Sequence, residues 1–176
     1  MKQKNVHQLD RVDTKLQRLL TDLQAYSEAE LNRKPSPESW SVLQIMHHLM
    51  LAERLSVGYV RKKLSFNPTL PNAGLLTWFR LQGLRTYNWL PVKLKAPKAV
   101  GKENLPDEST LADAARQWLA QRAELRTWLS ALPEELFKKE LYKHPLAGRQ
   151  SLYGMLLFFE GHFDRHLRQI QRSLRP

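Results

Sequence analysis

Three histidines stand out by residue type and spacing. His162 and His166 lie four apart in EGHFDRHLRQI, residues 160–170. On a helix, positions four apart share a face, with β-carbons roughly 5–6 Å apart. Phe159, Phe163, Leu167 and Ile170 surround that face, so the pair is expected to point into an apolar interior. His48 has a comparable place in WSVLQIMHHLMLAE, on the stripe that runs from Ile45 through Ala52 to Leu55. His47 is turned about 100° away and falls at an edge. Neutral imidazoles carry polar nitrogens that need partners in a core. Protonated ones repel each other. A divalent cation resolves both problems and leaves a fourth position for water or substrate. Zinc, nickel, iron, manganese and cobalt are not separated by ligand type alone. An inward histidine is also a common hydrogen-bonded core residue, and HxxxH arises by chance, so spacing leaves both readings open. The HExxH arrangement is absent, because Glu160 precedes His162 by two positions and cannot act as the general base of that motif.

The elements that must position these rings are helical. Leu9, Val12, Leu16, Leu19 or Leu20, Leu23 and Tyr26 recur at three and four, which predicts one long amphipathic helix over 9–31. Pro35 and Pro37 end it. Ser41 with Gln44 forms a capping-box pattern for a second helix reaching about Leu64, with Trp40 before the cap as a hydrophobic staple. Leu75 to Trp89 reads as a short helix, followed by a long basic loop. Thr110 and Asp113 start a third main helix that ends near Leu129, and Ser151 starts the last, which ends near Leu174. The 20 residues from Ala131 read as a loop with one short turn at most, and β-type alternation is absent. Four main helices with a long middle crossover make an all-α four-helix bundle, a single domain over 1–176.

Composition limits the chemistry. The chain has 176 residues and no cysteine, which excludes disulfides, zinc–thiolate sites and a protein-borne thiol nucleophile. The longest apolar run, GMLLFF at 154–159, is too short to span a bilayer, and the N-terminus lacks a signal-peptide core. A soluble cytoplasmic protein with no membrane partner is expected. The formal net charge of +11 argues for an anionic partner. The basic residues are spread along the chain and no short nucleic-acid motif is present. A small anion therefore suits the charge as well as a polymer does, and nucleic acid is not the expected partner.

The stretches WSVLQIMHHL (40–49) and HPLAGRQSLYGMLLFFEGHFDRHLRQI (144–170) resemble the helix-two and final-helix signatures of the DinB (damage-inducible) superfamily. The resemblance spans essentially the whole chain in length and helix order. It implies an up-down-down-up bundle, commonly a homodimer, with a metal held by His48, His162 and His166; His47 precedes the family histidine and does not replace it. The Trp-Ser opening and the HPLAG loop are similar to the bacillithiol-transferase branch. That likeness implies a divalent metal, zinc or nickel first, and a low-molecular-weight thiol that attacks a small electrophilic substrate. A hydrolase using bound water and a non-catalytic metal- or small-ligand-binding bundle are the alternatives. No residue of the chain is singled out as catalytic. Trp78, Phe79 and Trp89 could wall the pocket, with Lys93, Lys95 and Lys98 attracting carboxylates, though closing the bundle end and meeting solvent is the plainer role. Glu53 or Asp164 could orient a histidine ring from behind, as carboxylates often do.

Overall fold

The computed structural model describes residues 3–90 and 96–175. The helices are α1 (Gln3–Leu23), α2 (Glu28–Asn32), α3 (Val42–Ser65), α4 (Leu75–Trp89), α5 (Leu111–Ser130) and α6 (Leu152–Ser173). A two-stranded antiparallel hairpin, β1 (Tyr142–His144) and β2 (Gly148–Gln150), precedes α6.

Polar side chains between helices fix their directions. Gln8, Arg11 and Lys15 reach Glu160, and Lys15 also reaches Asp164, so α1 and α6 run parallel. Arg126 meets Asp10 while Arg122 meets Asp13, which sets α5 antiparallel to α1. Gln121 and Arg122 meet Glu53, and Arg61 pairs with Glu124 and covers Trp128, so α5 parallels α3. The order is up-down-down-up, with α3 packed on both α5 and α6. This is the all-α bundle expected from the sequence.

Two apolar clusters fill the interior. One gathers Leu16, Leu23, Ile45, Leu49, Trp118 and Phe163; the other gathers Leu9, Val60, Leu129, Phe137, Met155 and Phe159. α6 supplies residues on both sides of His162, with Phe158 and Phe159 in one cluster and Phe163 in the other.

Local start signals are realised where the sequence places them. The Ser41 hydroxyl accepts from the Gln44 amide while the Gln44 side chain accepts from the Ser41 amide. The Thr110 and Ser151 hydroxyls cap α5 and α6 by accepting from the amides of Asp113 and Gly154, without the return bond.

Two expectations need correction. The long first helix is broken: α1 ends at Leu23, and Ser27 with Glu30 forms a capping box that starts the separate α2. Leu31 keeps the hydrophobic rhythm because it is buried in the same core, so periodicity ran through a gap that the cap interrupts. The segment before α6 holds a hairpin that strand alternation could not reveal, because each strand has only three residues. Its turn needs Gly148, whose φ of +71° favours glycine, and the His144 ring closes the turn by accepting from the amides of Leu146 and Ala147.

α4 lies outside the four main helices, against α6. Arg165 donates to the carbonyls of Tyr87 and Leu90, and Arg168 to that of Asn88. These two arginines satisfy the orphan carbonyls at the C-terminus of α4 and complement its dipole.

Candidate metal centre

α3 and α6 bring the three histidines together. Nε2 of His162 lies 3.3 Å from Nε2 of His48 and 3.1 Å from Nε2 of His166. One nitrogen from each ring falls within 4.8 Å of the others. His48 and His166 are buried and His162 is partly open to solvent. His47 is rotated out, 2.9 Å from the Ser109 hydroxyl, as its helical phase predicts.

The outer nitrogens determine what the inner ones carry. Nδ1 of His48 is 2.8 Å from the Val100 carbonyl, which can only accept. Nδ1 therefore bears the proton, and in a neutral ring Nε2 bears the lone pair. Nδ1 of His166 is 2.9 Å from Oε1 of Gln169, which assigns the same tautomer. Both Nε2 lone pairs then face Nε2 of His162, which has at most one proton to offer. At least one close nitrogen pair would be left lone pair to lone pair. Protonation is opposed too. Burial pushes His162 well below its usual pKa, helped by the charges of His166, His48, His144 and Arg165. Burial, then the charge of His48, takes His166 down to about 3, and burial lowers His48.

A cluster of neutral donors with one proton too few fits a cation. Nitrogens bound at 2.0–2.1 Å in adjacent positions of one ion stand about 3.0–3.4 Å apart, which matches the two separations from His162, 3.3 and 3.1 Å, while the His48–His166 pair is wider, within 4.8 Å. Aromatic rings wall the cluster. Trp40 lies over His48 with ring centroids 4.7 Å apart and stacks on His166, and Phe158 stacks on His162 at 5.0 Å.

The outer supports are not the carboxylates expected. Glu53 turns toward Arg122 and Gln121, and Asp164 toward Lys15. Gln169 was detectable, because it lies three residues beyond His166 on the same helix. Val100 was not, because its contribution is a backbone carbonyl from the crossover. Trp78, Phe79 and Trp89 are exposed. Lys98 is also exposed, while Lys93 and Lys95 lie outside the described residues. His144 organises its hairpin turn and packs edge-on against Phe158.

The titration has a definite sign. A histidine whose folded pKa is depressed stabilises the fold above its unfolded pKa, and that stability is lost as pH falls toward the folded value. Metal-free protein is expected to weaken from about pH 6.5 downward, by up to about 1.4 kcal/mol per pH unit for each imidazole. The window extends to about 4 for His144 and about 3 for His166. Urea denaturation of chelator-treated protein across this range measures the slope, and His166→Leu should flatten it. A pH-independent midpoint would contradict the neutral, buried cluster.

Fold and site together define a helical bundle with an inward-facing, neutral three-histidine cluster suited to one divalent cation. The sequence model of the DinB superfamily matches residues 8–170, and the chain belongs to that superfamily. It is also 24% identical over 150 residues to the uncharacterized protein YuaE of Bacillus subtilis (strain 168), spanning 85% of this chain and 86% of that protein.

Proposed function

We propose that His48, His162 and His166 hold a divalent metal, and that the protein is a metal-dependent transferase joining a low-molecular-weight thiol, bacillithiol-like, to a small electrophile. The observation that carries the reading is the convergence of three imidazole nitrogens, with the outer nitrogens of His48 and His166 already hydrogen-bonded. Imidazole ligands suit zinc or nickel. Three neutral ligands leave the cation's charge intact, so an anion is favoured at the remaining position. When bound, the metal would lower the pKa of a coordinating thiol from its ordinary value near 8.5 and hold it as thiolate at neutral pH.

The chain's own groups supply the rest. Val100 and Gln169 hold two rings in the donor tautomer. Trp40 and Phe158 restrict water and ring rotation at the cluster. Arg165, whose charge reaches His162 and His166, adds positive potential beside the site. The thiol must arrive from outside, because the chain has no cysteine. The DinB likeness of the HPLAG loop and Trp-Ser opening supports the thiol branch. A cytoplasmic setting, where such thiols stay reduced, and a homodimer belong to the same proposal.

The test is a panel of electrophiles assayed with zinc- or nickel-loaded protein, with and without bacillithiol, mycothiol or glutathione. Conjugation that requires both metal and thiol, and disappears in His48→Ala, is expected. Turnover without thiol would replace the transferase by a hydrolase. Full metal occupancy with no turnover would leave a binding protein.

A further inference from the structure

The two ends of α4 expose large apolar side chains. Its buried positions are Thr77, Leu84 and Asn88, and neither amide atom of Asn88 has a hydrogen-bond partner among the described residues. Its outward positions include Leu75, Leu76, Trp78 and Phe79, which are 53–79% exposed, and Trp89, which is 74% exposed. A single exposed leucine needs no explanation. Four large apolar residues within five positions, exposed on a helix that buries Thr77 and Asn88 beside Leu84, mark a contact surface.

Basic residues stand beside it. Between Glu53 and Glu103 the sequence has ten lysines and arginines and no acidic residue, although Arg61 of α3 is paired with Glu124. Arg80 of α4 reaches the hairpin turn, 3.7 Å from where a β-carbon on Gly148 would stand. In the hairpin, Lys143 and Arg149 are directly opposed and both exposed, an unfavourable cross-strand pair when left alone. The nearby acid Glu140 is engaged by Thr77 through its carboxylate and by Lys63 through its carbonyl.

These features select the partner. A second copy presenting the same face would oppose basic cluster to basic cluster. A nucleic acid would answer the charge but leave Leu75 and Leu76 in water. A bilayer with anionic headgroups answers both, since leucine and phenylalanine enter the acyl boundary, tryptophan sits at the interface and arginine and lysine meet the headgroups. No described helix is long and apolar enough to cross a membrane, so the contact is peripheral. The expectation of no membrane partner rested on spanning segments, which this mode does not use.

We propose that the outward face of α4, with the basic hairpin beside it, docks on anionic membrane surfaces. Flotation of the full chain with phosphatidylcholine vesicles, with and without phosphatidylglycerol, tests this. Binding only to the anionic vesicles is expected, weakened by salt and accompanied by a blue shift of tryptophan emission. Trp78→Ser with Phe79→Ser should reduce it at least about ten-fold. Lys143→Gln with Arg149→Gln should reduce it about 25-fold, at about five-fold for each charge removed. Circular dichroism and metal content should be unchanged in both double variants. Equal binding to neutral vesicles, no effect of the α4 variant, tighter binding to a duplex oligonucleotide, or a wild-type dimer that the α4 variant separates would each overturn the proposal.

Discussion

His162→Ala is expected to abolish stable metal binding. This ring lies between the other two, within 3.3 Å of His48 and 3.1 Å of His166, and removing it deletes the donor that both face. Changes to outer hydrogen-bond partners of metal ligands typically cost 10–100-fold in affinity, so loss of a ligand should exceed about 100-fold. Wild-type protein loaded with zinc or nickel, desalted and measured by elemental analysis should retain about one ion per chain. His48→Ala, His162→Ala and His166→Ala should each retain almost none, with helical circular dichroism preserved. Gln169→Leu should bind with affinity reduced by about 10–100-fold, because it frees the His166 ring without removing a donor. Unchanged stoichiometry in all three alanine variants would remove the metal from the account, and the transferase with it.

Arg122→Met is expected to be the most destabilising of these substitutions, by about 3–5 kcal/mol at neutral pH. Arg122 is almost fully buried and stands between Asp13 at 2.7 Å and the equally buried Glu53 at 3.4 Å. Asp13 keeps Arg126 when Arg122 is lost. Glu53 keeps neutral neighbours, the Gln121 amide at 3.4 Å and the Trp118 indole, but no positive charge at that distance. Burial already holds the Glu53 carboxyl above its usual pKa, opposed mainly by the charge of Arg122. Without that charge the folded state favours the protonated acid more strongly. A carboxyl with a raised folded pKa gains stability as pH falls, so the defect should shrink in mildly acidic urea titrations. Arg122→Met combined with Glu53→Leu should recover most of the loss, since no buried charge is then left unpaired. A defect of the same size at every pH would point to packing of the arginine stem instead.

How much of this was legible beforehand differs from element to element. α4 was read as Leu75 to Trp89, the range it occupies, because a proline–glycine loop precedes it and Pro91 follows. Ser41 with Gln44 was legible because a capping box is a contact over three residues. The break at 24–27 was not, because Leu31 continues the apolar rhythm from a separate helix that shares the same core. The exposed face of α4 went against expectation, since apolar helical residues ordinarily turn inward.

Spacing marks the three histidines as candidates and the DinB resemblance makes them one metal set; two of them share a helix, so their common face follows from helical geometry alone. His48 is 114 residues from His162, and no local rule brings such positions together. The antiparallel packing of α3 on α6 decides that meeting, and the crossover supplies the Val100 carbonyl that sets one ring's tautomer. Residue type and period determine which groups a helix offers to the interior, because they act within a turn or two. Which groups meet there depends on packing between distant segments. A backbone carbonyl that takes part leaves no trace in the sequence, because every residue carries one.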